Sequence, residues 1–599
     1  MPAVEAITNI AALKILNPLG TGPSFPILTP VVFVQGYTYP GDGGGGTFIF
    51  RKHATNNPLS DDGIFIDSSL PTVKTNGIWI RCFSGYIDMR FYGLIDDHPN
   101  PTLIIQNAID YAERCAQGLG RPFGHVNSNT VFIPNGTFYI STLTIKNGVR
   151  LIGASTHNTV LVAIFDSNPY LIQTAPGLNR DIQIENLTMY GTSKDAQLTW
   201  NATSKLNNNK GCLGFIDQKY NGGGGVWDSV FRNLKIEQFT GDSIRFVGAT
   251  GEADFSMTNQ FNTFENVQVQ SAGQLKKKWP DFNNAAHALI LLGANGQLSF
   301  TNCRFDGGDY LYNEQGLPDY SLSGISVYIG SAVFDPPLPI DRRLNIPHPA
   351  VINFNTCTIQ SAAVLVTIES CNNIKFDGCW FENSERAFEV KGRFSTSKAI
   401  NILNNSFLYC AGKYGVNPPY EPNTGVVILS HNSQVNANNN YVVDTQQNEL
   451  ARFMAVDTEL VGSVQVPAKN LGLNGTGNYF EPIGIGLSYL GYTRGIKTNV
   501  TDFTGGIIRI DSSKSIYLLN STSQTVSTIL SQSIAGEYLF IRAAQGTVTF
   551  VDTAAGNLYL GVKNPLVLQN GNTALFIKID EKKTSSNYLD TYNLVTVLQ

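Results

Sequence analysis

A two-strand pattern recurs at least seven times between Asp181 and Tyr441, and no compact globular fold accommodates such a repeat. Its second half reads Ile184-Glu185-Asn186-Leu187-Thr188-Met189-Tyr190, then Phe231-Arg232-Asn233-Leu234-Lys235-Ile236-Glu237, then Phe264-Glu265-Asn266-Val267-Gln268-Val269-Gln270. It returns at Phe300 to Asp306, Phe354 to Gln360, Phe376 to Glu382 and Ile402 to Leu408. A partner strand precedes each later copy, for example Ser243 to Gly248, Ala288 to Gly293 and Ile325 to Gly330. Alternation of apolar and polar residues within a copy is the period of a strand with one buried face. Repeats spaced roughly 20–50 residues apart are coils of a stacked structure. Coils made of strands without intervening helices predict a parallel β-helix.

Aligning the copies gives columns along the stack. Inward columns hold Met189, Ile236, Val269, Phe305, Ile359, Phe381 and Phe407, flanked by Leu187, Leu234, Val267, Cys303, Cys357 and Cys379. The three cysteines are read as small apolar core residues, since unpaired Cys is among the most buried residue types. Asn186, Asn233, Asn266, Asn302, Asn404 and Asn439 form a column at a bend, where Asn tolerates the left-handed conformation and its amide can bond its neighbours along the stack.

Composition narrows the function. Charged residues make up 15% of the chain and the net charge is −5, without long runs; the basic stretch Lys276-Lys277-Lys278 is short. Nucleic acid is therefore not expected as a partner, because phosphate binding needs a basic face. The eight cysteines show neither metal-type nor disulfide-framework spacing and are expected to be reduced. The seven histidines form no visible triad or metal pair, and no metal or cofactor is expected. No ordinary secretion signal opens the chain and no run is long and apolar enough to span a membrane, so no membrane insertion is expected; release by lysis fits such a chain.

Five segments are expected: a β-rich head module at 1–85, a connector with a helix at 86–130, the coils at 131–445, a second connector at 446–489 and a C-terminal β domain at 490–599. In the head, Tyr39-Pro40-Gly41-Asp42-Gly43-Gly44-Gly45-Gly46-Thr47-Phe48 reads as a tight turn, because no Gly-Lys-Ser/Thr follows as a phosphate loop requires. Residues 101–116 read as a helix with Asn100 as its cap and Pro101 in its first turn, sealing the open end of the stack. The last segment alternates strongly and reads as a β-sandwich whose Leu560, Leu566 and Leu568 are exposed and need partners.

The run Arg90-Phe91-Tyr92-Gly93-Leu94-Ile95-Asp96-Asp97, then Ile105-Gln106-Asn107-Ala108-Ile109-Asp110, then Val131-Phe132-Ile133-Pro134-Asn135-Gly136-Thr137-Phe138 resembles the opening signature of the pectate-lyase-like superfamily. That family usually has Gly-Asp-Gly where this chain has Asp96-Asp97-His98. The Gly-rich turn and Gly77-Ile78-Trp79-Ile80-Arg81 look like the head module of bacteriophage tailspikes, and Phe376-Asp377-Gly378-Cys379-Trp380-Phe381-Glu382-Asn383 resembles one of their recurrent coils. The resemblance covers about residues 35–445. It implies an all-β, right-handed parallel β-helix, a homotrimer, a place in the virion tail with the head module bound to another tail or baseplate protein, and a bacterial surface polysaccharide as partner at the outer surface of the host.

Because side chains fill a β-helix core, chemistry must sit on its outer face. One outward column reads Tyr190, Glu237, Gln270, Asp306, Gln360, Glu382, with an amide between successive acids. Strands stack ~4.8 Å apart, so acids two coils apart begin roughly 10 Å apart at the backbone. Inverting glycosidases hold their two carboxyls about 6.5–9.5 Å apart and retaining ones about 5–5.5 Å. Asp306 and Glu382 are the leading catalytic pair, with Glu237 third and Asp309 beyond the column. Substrate-binding candidates are Tyr190, Gln270, Gln360, Trp380, Tyr310 and Glu385, with Lys235 and Arg304 from the next outward column. Loops after this column carry Trp200, Trp279, Tyr310, Tyr312, Tyr320, Tyr414 and Tyr420, whose aromatic faces suit the C–H faces of sugars. Glycoside hydrolysis is the leading expectation. A lyase acting on a uronate glycan and a non-catalytic adhesin are the alternatives, because a binding groove needs the same residue types.

Overall fold

The repeated strands stack in parallel and in register, one coil on the next. The structure is a computed structural model that describes residues 5–19, 31–52, 60–95, 98–118, 128–164, 168–191, 210–216, 225–239, 241–248, 259–270, 287–307, 325–331, 348–392, 396–410, 426–443 and strands of 452–598. The chain forms two units, one of residues 1–310, 322–338 and 345–358, the other of 311–321, 339–344 and 359–599.

The first unit opens with a five-stranded sheet built from Glu5–Ile7, Val31–Val34, Gly46–Lys52, Gly77–Cys82 and Phe65–Ile66 over a core that includes Leu13, Val34, Phe48 and Trp79. The Gly-rich run is a turn organised by Asp42. Its carboxylate accepts the backbone N–H groups of Tyr37 (2.9 Å), Thr38 (2.7 Å), Tyr39 (3.1 Å) and Gly44 (2.8 Å). Arg81 fastens this module to the chain that follows. Its guanidinium lies between the Phe48 and Phe91 rings, 4.4 Å from each centroid. It donates to the carbonyls of Gly63, Gly45 and Phe91.

The helix forms as Pro101–Ala116, with the Asn100 side chain accepting from Leu103 N and Ile104, Ile105, Ala108, Ile109 and Ala112 buried. It covers the first coil by polar contacts as well as apolar ones. Thr144 N donates to Gln106 Oε1 at 2.9 Å, Gln106 Nε2 donates to Thr144 O at 3.1 Å, and Ser141 N donates to Thr102 Oγ1 at 2.9 Å. Backbone groups of the edge strand Leu143–Ile145 thus find partners that a bare sheet edge lacks.

Beyond the helix the coils follow the columns. Gln183–Tyr190 pairs with Val230–Glu237 so that Leu187 meets Leu234, Met189 meets Ile236 and Tyr190 meets Glu237. Val230–Glu237 pairs with Thr263–Gln270 in the same register, and Gln268 and Val269 then meet Arg304 and Phe305. Phe231, Phe264, Phe300 and Phe354 form a core column of parallel rings, with successive centroids 4.6, 4.7 and 4.7 Å apart. The bend column adopts the left-handed region, with φ of 56° at Asn186, 51° at Asn233, 54° at Asn266 and 52° at Asn302. Each amide donates to the preceding side-chain oxygen, at 3.0, 3.1 and 2.5 Å. Cys303 and Cys357 are buried in this unit and Cys379 in the other, and all eight cysteines are thiols.

In the second unit, Asn372–Asp377 pairs with Ser397–Leu403, Trp380–Lys391 with Ser406–Leu408 and Val426–His431, and Ser406–Leu408 with Tyr441–Val443. The ladder runs into 446–489, the stretch read from sequence as a connector: Arg452–Val456, Gly472–Asn474 and Tyr479–Glu481 each pair with a coil strand. Gly472–Asn474 and Tyr479–Glu481, of three residues each, offer too little alternation to be read from sequence. A buried amide ladder also escaped that reading; Asn405 Nδ2 donates to Asn440 Oδ1 at 3.1 Å and Asn440 Nδ2 to Asn478 Oδ1 at 3.0 Å.

The C-terminal strands form a seven-stranded sheet and a three-stranded sheet. Here one expectation is corrected. Leu560, Leu566 and Leu568 are not exposed but 4%, 7% and 0% exposed, packed with Val526, Ile541, Val548, Phe550 and Phe576. The chain's own strands cover them, so they call for no partner subunit.

Two tests follow from this architecture. Phe264→Ala removes one ring from a closed column and should cost about 3–5 kcal/mol, measured by denaturant unfolding. Burial works to raise the pKa of Asp42, but its four backbone hydrogen bonds outweigh burial and hold it below the ordinary value. A depressed folded-state pKa gives stability that is present above the unfolded value, about 3.9, and is lost as pH falls through the folded one. Amide exchange at Tyr37–Gly44 should therefore accelerate below about pH 4 in the wild type, whereas Asp42→Ala should exchange fast at neutral pH as well.

Candidate functional site

A groove of about 880 Å³ lies on the outer face of the first unit, with the repeat itself as its floor. Tyr190, Glu237 and Gln270 line it from one column, and Thr188, Lys235, Gln268, Arg304 and Thr358 from the next. The bend amides Asn233, Asn266 and Asn302 line it from a third. Strand alternation explains the selection: residues two apart point to the same face, so each coil contributes a pair of outward side chains beside its bend.

The two cations on this floor are ion-paired, Lys235 with Glu237 in the groove and Arg304 with Asp306, which does not line it. Lys235 Nζ lies 2.7 Å from Glu237 Oε1, and Arg304 Nη2 lies 3.2 Å from Asp306 Oδ2. Each cation precedes its acid by two residues on the same strand. Asp306 is only 8% exposed, which departs from the picture of a column of open carboxylates. Glu237 also organises Tyr190. Burial and the charge of Glu237 push the Tyr190 phenol above its ordinary range, and its oxygen accepts from Gln238 Nε2 at 3.1 Å. The ion pair fixes the position of the Glu237 carboxylate, whose charge can face positive charge that develops on a bound substrate.

One wall of the groove is absent from the sequence reading. Thr156 and His157 reach the groove from the turn after Arg150–Gly153, and Val160 from the strand Thr159–Ala163 that follows it. That turn is pinned across two coils: Thr156 Oγ1 donates to Asn233 O at 3.2 Å, and Thr188 Oγ1 donates to Thr156 O. The signal available in the sequence was the break between two strands at Ala154-Ser155-Thr156-His157-Asn158, without any indication of which face it covers.

Of the remaining candidates, Gln360, Trp380, Glu382 and Glu385 belong to the second unit. There Trp380 is 42% exposed and its indole Nε1 donates to Glu382 Oε2 at 3.0 Å. Along the column of Glu382 stand Leu408 and Val443, so no second carboxylate follows it on the next two coils. Asp309 and Tyr310 lie outside the described residues, as do Asp96, Asp97, Trp200, Trp279, Tyr312, Tyr320, Tyr414 and Tyr420. Among the described residues no group of three or more His, Cys, Asp or Glu is placed to hold a metal ion.

The arrangement of Tyr190 gives a direct check. Glu237→Gln removes the charge that keeps the phenol protonated, so Tyr190 should ionise at lower pH than in the wild type, followed through its ring resonances in tyrosine-labelled protein. A midpoint unchanged or moved upward would place the carboxylate away from the phenol.

No protein-family model matches this sequence, and comparison with curated proteins finds no match. Among solved structures, the chain is similar to the enzymatically active domain of tailspike protein 2 of bacteriophage CBA120, at 13% identity and TM-score 0.42, over 79% of this chain and 57% of that one. It spans 51% of the full-length protein 2 of the same phage. It is similar to gp49 of the Acinetobacter baumannii bacteriophage Fri1, a capsular polysaccharide depolymerase, at 15% identity and TM-score 0.40, over 78% of this chain and 76% of that one. It is also similar to the A-module of the mannuronan C-5 epimerase AlgE4 of Azotobacter vinelandii, at 13% identity and TM-score 0.38, over 66% of this chain and 98% of that one. At these identities the likeness is one of fold alone.

Proposed function

We propose that this protein is a tailspike-type depolymerase that binds a bacterial surface polysaccharide (capsule, O-antigen or exopolysaccharide) and cleaves it by glycoside hydrolysis. The observation that carries this reading is the groove of the first unit, a floor of amides, hydroxyls and paired charges with Glu237 in it. Amides and hydroxyls in rows one coil apart suit a polymer of hydroxylated rings, and the paired charges leave the floor without the basic excess a polyphosphate would need. Glu237 leads as the reacting carboxylate, with Asp306 as the second. Two coils separate them, about 10 Å at the backbone, and side chains leaning together reach the separation of an inverting pair. Glu382, beside Trp380, belongs to the same variant panel. A homotrimer on the virion tail, held through the head module, completes the reading, since three sites raise avidity for a repeating polymer.

The test is incubation with purified host polysaccharide, scored for new reducing ends and for unsaturated uronate absorbance. Wild type should release reducing ends. Glu237→Gln and Asp306→Asn should each lower turnover about a hundredfold or more with binding nearly intact, because an amide keeps the ground-state contacts and cannot transfer the proton. Both variants at wild-type rate would move the centre out of this groove, and Glu382→Gln is the next variant to score. Binding without any cleavage would make the protein an adhesin.

A further inference from the structure

Beside the groove stands a residue with two costs that the stacking of coils does not require. Gln238 follows Glu237 at a corner of its coil with φ of 58°, in the left-handed region that a residue with a Cβ seldom adopts. Its side-chain oxygen is buried and finds no hydrogen-bond partner among the described residues. Buried polar atoms are nearly always paired, so an orphan calls for a reason. The preceding coil has glycine at this corner, Gly191, next to Tyr190, the register partner of Glu237. The two coils meet there backbone to backbone: a Cβ at Gly191 would fall 2.2 Å from Gln238 O, and Gly191 N donates to Glu237 O at 2.7 Å. On the other side Gln238 N donates to Gln270 O at 3.3 Å.

Among the described residues the Gln238 side chain makes one hydrogen bond, from Nε2 to Tyr190 Oη at 3.1 Å. The proton positions along this chain follow from donor chemistry. An ionised carboxylate only accepts, so the Tyr190 hydroxyl donates in its hydrogen bond with Glu237. The phenol oxygen then accepts, which puts the NH2 group of Gln238, and not its oxygen, against Tyr190. Lys235 Nζ meets Glu237 Oε1 at 2.7 Å. Glu237 is thus held by an ammonium and by a phenol whose own orientation Gln238 sets. Burial and the charge of Glu237 raise the pKa of Tyr190, and the Gln238 N–H works against both because it favours the phenolate.

We propose that Gln238 is a positioning residue for glycoside hydrolysis, which turns the Tyr190 hydroxyl toward Glu237 and so fixes the carboxylate that faces the substrate. The proposal rests on the hydrolytic reading of this groove and gives Tyr190 a part in holding the reacting carboxylate. Without the amide, the phenol hydroxyl turns about its C–O bond and donates to solvent in the groove, and Glu237 keeps Lys235 alone. A charged group stabilises a transition state most when its orientation is fixed before the opposite charge develops. The left-handed backbone and the orphan oxygen are then the cost of that orientation, of the kind that gathers at reactive sites.

The experiment uses the full chain and a panel of purified capsular polysaccharides and O-antigens, scored for new reducing ends. Gln238→Met keeps the length of the side chain and removes its amide. It should lower turnover about tenfold with KM within about twofold. The Tyr190 phenol, followed through its ring resonances in tyrosine-labelled protein, should ionise at higher pH in that variant than in wild type. In a Tyr190→Phe background the same substitution should change turnover by less than about twofold, since no hydroxyl is left to orient. Gln238→Glu keeps the shape and adds a titration. Its turnover relative to wild type should be lowest at neutral pH and rise as the new carboxyl takes up a proton, because a protonated carboxyl donates to the phenol oxygen as the amide does. If Gln238→Met does not fold, Gln238→Glu carries the test. Wild-type turnover with an unmoved Tyr190 midpoint in Gln238→Met, or a Gln238→Glu rate ratio flat with pH, overturns the proposal and leaves the hydrolytic reading standing. A wild type that cleaves no member of the panel removes both.

Discussion

Everything in this molecule depends on coils stacking in parallel without slipping. A parallel ladder has evenly spaced hydrogen bonds that leave register to the side chains, and a slip of one residue would turn every inward side chain outward. Two columns prevent this in the first unit. Phe231, Phe264, Phe300 and Phe354 stack ring on ring inside, and Asn186, Asn233, Asn266 and Asn302 hand hydrogen bonds along the bend. The asparagines serve twice, because their φ near +55° turns the corner while their amides lock one coil to the next. Helix Pro101–Ala116 meets the remaining hazard, the open edge of the first coil, with Gln106 and Thr102 as substitute hydrogen-bond partners.

The same register builds the groove. Once Leu187, Leu234 and Val267 are fixed inside, Thr188, Lys235 and Gln268 must point out, as must Tyr190, Glu237 and Gln270. Columns on a β-helix therefore present chemistry at one strand spacing, a ruler well suited to polymers. The structure adds that cation and acid on one strand neutralise each other across two residues, at Lys235–Glu237 and Arg304–Asp306. Isolated pairs of this kind contribute little to stability at a partly exposed surface. Their effect here is to hold the two carboxylates in place beside the cations that line the groove.

The core columns, the left-handed asparagines, the capping helix and the Asp42 turn were legible in the sequence, because each follows from a local rule: period two, left-handed tolerance, N-cap chemistry or glycine in a turn. So was the set of outward side chains from Tyr190 to Arg304. Burial of Leu560, Leu566 and Leu568 was not legible, because alternation marks a face and does not say what covers it. Nor was the reach of His157 into the groove, nor the meeting of Tyr190 with Gln238 forty-eight residues later. Both arise where turns of different length return to neighbouring coils. The amino-acid sequence alone determined which residues face in and which face out, since that choice is made within each strand. Only the tertiary structure decided which outward residues become partners, since that depends on how intervening turns deliver one coil onto another.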